Sequence, residues 1–214
     1  MDAALEIYAR LGELRVIPVL AVESEEAALP LADALIAGGL PVAEITFRTA
    51  AAAAVIRKLA IERPNLLVGA GTVTHPDQAK AAKECGATFA VAPGFNPQVV
   101  RTARLIDLPF TPGVMTPTDI EAALAAGAKV LKFFPAGAAG GLSMLKSLAA
   151  PYGHLGVRFV PTGGVNLKNA GEYLSHPAVL AVGGTWLATK DDIAQGRWDK
   201  ITAACQEIVQ QLKA

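Results

Sequence analysis

Between residues 16 and 183 the sequence alternates, about every 20–25 residues, between short runs rich in β-branched residues and longer Ala/Leu-rich segments of helical period. Eight of the short runs read as strands: 16–22, 42–48, 66–72, 88–93, 109–114, 129–134, 158–162 and 179–183. Helical stretches lie near 25–37, 50–62, 76–85, 97–106, 117–126, 141–149, 167–174 and 190–213, and one more runs from 2 to about 12. Eight strand-then-helix units in 214 residues constrain the chain to an α/β fold. They predict a single (β/α)₈ TIM barrel over residues 1–214 with an extra N-terminal helix. An open doubly wound sheet is the structural alternative.

Punctuation supports the alternation. Thr116-Pro117 opens "TDIEAALAAG" as an N-cap and first helical residue, and Ser24 precedes "EEAALPLADALIAGG" with its glycine stop. In the last segment Trp198, Ile201, Cys205, Ile208, Val209 and Leu212 share one stripe, which predicts packing on a core. Residues 1–14 carry Asp2, Glu6, Arg10 and Glu13, which argues against a secretory leader. The longest stretch without a formal charge, 17 residues over 173–189, is broken by His176-Pro177 and Gly183-Gly184, so no membrane span is expected. Cys85 and Cys205 read as small apolar core residues of a reducing compartment, and a cytoplasmic protein is expected. Lys+Arg and Asp+Glu balance at 19 each, which gives no footprint for a nucleic-acid or membrane-surface partner. A small-molecule substrate is the expectation.

In a barrel, functional side chains stand at the C-terminal strand ends and alternate residues point into the lumen. In "VAEITFR" a period of two sets Val42, Glu44, Thr46 and Arg48 against Ala43, Ile45 and Phe47. The wholly apolar set belongs against the helices, so Glu44 enters the lumen and Arg48 its mouth. In "KVLKFF" the same rule places Val130, Lys132 and Phe134 inside and Leu131 and Phe133 outside. The other strands bring almost no charge. A purely structural ion-pair cluster of Glu44, Lys132 and Arg48 is one reading, but such clusters contribute little net stability against hydrophobic packing. The functional reading makes Lys132 an imine-forming nucleophile, its neutral amine favoured by apolar neighbours and a nearby cation. Glu44, the one carboxylate on that face, is then the acid/base, and Arg48 is suited to a bidentate grip on a substrate carboxylate.

Two Gly-rich turns, "PTGGV" (161–165) and "GGTW" (183–186), close the last two strands, where barrels keep their phosphate sites on backbone N–H groups and a helix N-terminus. Gly163, Gly164, Gly184 and Thr185 are the expected donors, with Thr162 one step deeper. "GAGTV" (69–73) lacks the rest of a dinucleotide fingerprint; Ala70 and Thr72 are expected to face the lumen and leave room for a small substrate. "APGF" (92–95) is either a plain turn or a pocket wall. His75, His154 and His176 have no ligand spacing and read as surface residues, so neither a metal nor another cofactor is expected.

Taken in order, "EITFRT", "GAGTV", "APGF", "TPGVMTPTD", "KFFPA", "PTGGV" and "VGGTWL" resemble the 2-keto-3-deoxy-6-phosphogluconate (KDPG) aldolases, some of which also act on 4-hydroxy-2-oxoglutarate (KHG). The resemblance spans nearly the whole chain. It implies a class I aldolase that cleaves 2-dehydro-3-deoxy-6-phosphogluconate to pyruvate and glyceraldehyde 3-phosphate. It makes Lys132 the Schiff-base lysine and Glu44 the general base and acid, and sets Arg48, Thr72, Pro93 and Phe134 around the pyruvate end. Thr162 would lie near the substrate's middle, Gly163, Gly164, Gly184 and Thr185 near its phosphate, and the assembly would be a homotrimer. Where relatives often carry Ser, this chain has Thr185 and Ala92, and "AGAAGG" (136–141) has no acidic residue. A related aldolase of different sugar specificity, a sugar-phosphate isomerase or epimerase using Glu44 as base, and a non-catalytic sugar-phosphate sensor are the alternatives.

Overall fold

The structure, a computed structural model, describes residues 3–213. It has the α/β character and the parallel strands that the sequence predicts. Helix α1 (Ala3–Leu14) leads into β1 (Val16–Leu20), α2 (Ala28–Ala37), β2 (Val42–Thr46), α3 (Ala52–Glu62), β3 (Leu67–Gly71) and α4 (Pro76–Glu84). Then come β4 (Phe89–Val91), α5 (Pro97–Leu105), β5 (Phe110–Thr111), β6 (Gly113–Val114), α6 (Pro117–Ala125) and β7 (Val130–Phe133). After α7 (Gly141–Ala149) and a 3₁₀ turn (Ala150–Leu155) follow β8 (Arg158–Pro161), α8 (Leu167–Leu174), β9 (Val182–Gly184), α9 (Lys190–Ala194) and α10 (Trp198–Gln211).

Six strands form one curled parallel sheet in the order β5-β4-β3-β2-β1-β9, and β6-β7-β8 form a second. The expected fifth strand is two short ones because Pro112 stands between β5 and β6. It has no N–H to give the ladder, although its carbonyl still accepts from Lys132 N–H at 2.8 Å. Between β8 and β9 lie single bridges, Phe159 with Val179 and Thr162 with Gly183. Phe159 N–H donates to Ala178 O at 2.7 Å and Leu180 N–H to Phe159 O at 2.8 Å.

Strand alternation sorts the residues into two clusters. Ile45, Val68, Ala70, Leu131, Phe133 and Phe159 join the large cluster that includes Leu31, Ile56, Val99, Ile120, Leu145 and Ile201 of the helices. The opposite faces contribute Ile17, Val42, Leu67, Phe89, Val91, Val130, Val160 and Ala181 to a second cluster, closed by Leu11 of α1 with Ile7, Tyr8 and Leu14 beside it. That apolar floor fills the N-terminal half of the concave side. It leaves the C-terminal strand ends for polar residues.

Local details differ from expectation for physical reasons. Ser24 does not cap a helix: α2 starts later, from Ala27, without a side-chain cap. Thr116 is the expected N-cap and forms a capping box with Asp119. The last helical stretch breaks at Gly196 and Arg197 into α9 and α10, with Ile201, Cys205 and Ile208 buried as the stripe requires. Burial pushes the Cys205 thiol up to about 12, so it is an inert core group, and both cysteines are free. No helix among the described residues is long and apolar enough to cross a membrane.

The break between α9 and α10 is held by Asp192, whose side chain is 3% exposed. Its Oδ1 accepts from Lys200 and Arg197, each at 2.8 Å, and its Oδ2 accepts from the Thr189 hydroxyl at 2.6 Å. The Lys200 contact foremost, then Thr189, and Arg197 as well, hold this carboxyl well below the usual range against the opposing effect of burial. A depressed folded-state value means the contribution is complete above about pH 4 and is lost as pH falls below it. Asp192→Asn should therefore cost about 1.5–3 kcal/mol at pH 7. Urea unfolding as a function of pH should show the gap to wild type narrowing steadily as pH falls below about 4.

Candidate active site

Glu44 is the third residue of β2 and Lys132 the third of β7. Both point to the concave side, just above the apolar floor. Lys132 Nζ lies 3.4 Å from Glu44 Oε1, with the two side chains 7% and 3% exposed. Each ion alone would be costly to bury, and only the pairing makes their joint burial tolerable. The Phe134 ring, its centroid 5.5 Å from Nζ, covers the amine on another side.

Room for this pair comes from residues without side chains. A Cβ at Gly71, paired in register with Thr46 at the end of the strands, would sit 2.4 Å from Glu44 Oε1. A Cβ at Gly183 would sit 2.4 Å from the Thr162 hydroxyl. Gly113, opposite Lys132 in register, allows the Pro93 carbonyl to approach its Cα, and its N–H reaches Gly94 O at 3.2 Å. The "APGF" turn thus packs against the strand beside Lys132.

At the rim, Arg48 is exposed and its Nε donates to the Thr46 hydroxyl at 3.2 Å. Thr72 follows β3 with φ of 58°, a left-handed backbone that a β-branched residue rarely adopts. Ala70 lies in the outer cluster, not in the lumen, contrary to the sequence expectation. The lumen position of β3 is Gly71, whose carboxylate neighbour shows which way it faces; counting by twos back from Thr72 fails because of that residue's turned backbone.

Across the site, Thr162 and Gly183 form a bridge that sets the ends of β8 and β9 side by side. Among the described residues, the N–H groups of Gly164, Val165, Thr185 and Trp186 have no hydrogen-bond acceptor, while that of Gly163 faces Gly183 O in the bridge. Gly163 and Gly164 both have positive φ, at 87° and 81°. Such a run of unengaged N–H groups is an anion receptor. The neighbouring start of α8 is less available than expected, since Asn166 Oδ1 accepts from Lys168 N–H at 2.9 Å and Asn169 Oδ1 from Asn166 N–H at 2.8 Å. The loop amides, not the helix terminus, are the free donors. Gly184 and Thr185 complete this end, Gly184 buried beneath the Trp186 ring and Thr185 exposed.

The structure therefore brings together Lys132, Glu44, Phe134 and the Pro93 turn, with Arg48 and Thr72 at strand ends nearby and the Thr162–Gly164 and Gly184–Thr185 loops on the β8–β9 side. Sequence reasoning missed the hollowing role of Gly71 and Gly183, and it placed Thr46 on the inner face without a task. The signal for the glycines was present as small residues at inward positions, but only the partner strand shows what fills the space. The histidines lie elsewhere: His75 caps α4, and His176 Nδ1 accepts from Ala178 N–H at 3.2 Å. No group of three or more His, Cys, Asp or Glu that could hold a metal occurs among the described residues.

Comparison with known proteins gives the chain's relatives. A family model described as KDPG and KHG aldolase matches residues 7–204. The 2-dehydro-3-deoxy-phosphogluconate aldolase of Treponema pallidum is 47% identical over 206 residues, covering 96% of this chain and 97% of its own length. Its namesake in Haemophilus influenzae is 44% identical over 208 residues, covering 97% of each chain. Among solved structures, a Legionella pneumophila KDPG aldolase with pyruvate captured as a covalent carbinolamine superposes with a TM-score of 0.90. It is 38% identical and covers 97% of this chain and 98% of its own.

The hollow beside Glu44 can be tested directly. Gly71→Ala places a methyl against the carboxylate and should destabilise the fold by about 1–3 kcal/mol in urea unfolding. Gly94→Ala, where a Cβ meets nothing within 4 Å, should change stability little and serves as the matched control.

Proposed function

This chain belongs to the KDPG and KHG aldolase family, and on that premise we propose how its residues carry out class I aldol cleavage. The substrate is 2-dehydro-3-deoxy-6-phosphogluconate, and 4-hydroxy-2-oxoglutarate is a second one. The observation that carries the reading is the buried contact of Lys132 Nζ with Glu44 Oε1 at 3.4 Å, at the open end of an apolar cup.

Transfer of a proton from the Lys132 ammonium to Glu44 turns two buried ions into a neutral amine beside a neutral acid, with no net change in buried charge. The amine attacks C2 of the substrate, giving a carbinolamine. Glu44 then protonates the departing hydroxyl, and loss of water leaves an iminium. As a carboxylate again, Glu44 removes the proton of the C4 hydroxyl. The C3–C4 bond breaks, its electron pair passes into the iminium, and glyceraldehyde 3-phosphate leaves from an enamine of pyruvate. Protonation at C3 and hydrolysis release pyruvate and restore Lys132. The pyruvate carbinolamine of the Legionella relative supports this course.

Around this centre Arg48 receives the substrate carboxylate, with Thr72, Pro93 and Phe134 framing the pyruvate end. Thr162 lies against the middle of the substrate. The loops at Gly163, Gly164 and Gly184, through the free amides of Gly164, Val165, Thr185 and Trp186 and the Thr185 hydroxyl, take the phosphate. We also infer that the chain expected as one domain over 1–214 forms, across its described residues 3–213, one domain in which the two sheets close as a (β/α)₈ barrel, with α1 as the extra helix. The β8–β9 bridges and the direct succession of β5 and β6 across Pro112 support that closure. Residence in the cytoplasm and a homotrimer complete the reading, supported by the free buried cysteines and by the family resemblance respectively.

Borohydride reduction in the presence of pyruvate should add one pyruvyl group, mapped by mass spectrometry to Lys132. An isomerase or a sensor would trap nothing there. Lys132→Ala should lose at least about 10⁴-fold in kcat, and Glu44→Gln about 10²–10⁴-fold. EDTA should leave turnover unchanged. Sedimentation equilibrium should give three times the 22.1 kDa chain mass.

A further inference from the structure

Arg48 stands exposed at the rim, and a long solvent-facing side chain samples many rotamers unless something holds it. One atom of it is held. Its Nε donates to Thr46 Oγ1 at 3.2 Å, and Thr46 is itself buried. The Thr46 hydroxyl donates in turn to the Leu20 carbonyl, at the end of β1, at 2.9 Å. A hydroxyl has one proton and two lone pairs. With its proton committed to Leu20, Thr46 presents only a lone pair to the guanidinium, so the contact has a single sense.

The backbone on both sides of Arg48 is tied down as well. Phe47 N–H donates to Gly71 O at 2.8 Å, and the Thr49 hydroxyl donates to Val22 O at 2.6 Å. The turn after β2 is therefore fastened to the ends of both β1 and β3. Arg48 makes no ion pair among the described residues, and Nε is the only part of its guanidinium with a hydrogen-bond partner. The Nη1–Nη2 edge is left free.

We propose that Thr46 is the positioning residue for Arg48, and that through it the site receives the carboxylate of a 2-oxo acid end-on, on Nη1 and Nη2 together. A side-on grip would require Nε, which Thr46 already occupies. This deepens the function proposed above and rests on it. The Thr46 hydroxyl is engaged by the Leu20 carbonyl and the Arg48 guanidinium. It acts by restricting the guanidinium plane, so its removal should weaken capture of the carboxylate more than it slows the bond-breaking steps that follow.

The test compares Thr46→Val, which keeps the shape and removes the hydroxyl, with Thr46→Ser, which keeps the hydroxyl. For cleavage of 2-dehydro-3-deoxy-6-phosphogluconate, Thr46→Val should raise KM roughly tenfold with kcat within about threefold of wild type. Half-saturation of pyruvate trapping by borohydride should rise in parallel. Thr46→Ser should return both to within about twofold. In an Arg48→Ala background, Thr46→Val should add nothing further to KM, because the group it orients is gone. Unchanged KM in Thr46→Val, failure of Thr46→Ser to restore it, or full additivity with Arg48→Ala would each overturn the proposal. Should Thr46→Val not fold, Thr46→Ala takes its place with the same expectations, and an unchanged KM in it overturns the role. Wild-type protein that traps no pyruvate on Lys132 defeats the aldolase reading, and this proposal with it. Wild-type trapping with no change in the variants defeats only the role of Thr46.

Discussion

An ammonium and a carboxylate packed 3.4 Å apart, away from water, dictate most of what surrounds them. Neither ion is tolerable alone at that depth, so β2 and β7 must deliver both to one point. Residues 44 and 132 come from different sheets, and their meeting requires the concave faces of those sheets to oppose each other. Replacing such a pair by well-packed hydrophobic groups is commonly neutral or stabilising. Its presence inside a largely apolar interior is therefore explained better by chemistry than by stability.

The interior is layered to serve that pair. Below it, Val42, Leu67, Phe89, Val130 and Val160 fill the cup, and α1 closes it with Leu11. At its own level, bulk gives way to glycine: Gly71 leaves space for the Glu44 carboxylate, and Gly183 for the Thr162 hydroxyl. Above it lie the strand ends and their turns, where Arg48 offers charge on one side and the unengaged amides of the β8 and β9 loops offer hydrogen-bond donors on the other. The Lys132 amine is thus dry while the charged and donor groups of the rim remain reachable.

Much of this was legible from residue order. The period of two in "VAEITFR" placed Glu44 inside and Ile45 outside, because a strand that packs helices on one face cannot turn a charge that way. The same reasoning worked for Lys132 between Leu131 and Phe133. It failed at Ala70, where the turned backbone of Thr72 breaks the period, and at Pro112, where a missing N–H splits a strand. It failed also at the Ser24 cap and at the break before α10, since helix boundaries depend on which end groups tertiary neighbours leave unpaired.

The alternation of strands and helices, the side of each strand that faces inward and the identity of the few charges placed there were properties of the sequence itself. They follow from local periodicity and from the cost of burying charge, and neither needs a partner to be known. Distances across the interior were decided only by the tertiary structure. So were the glycine hollow beside Glu44, the choice of loop amides over a helix terminus as free donors, and the chain of contacts from Leu20 through Thr46 to Arg48. Each of these joins residues on different strands or turns. A hydrogen bond or a void between two elements exists only once packing has fixed where both of them stand.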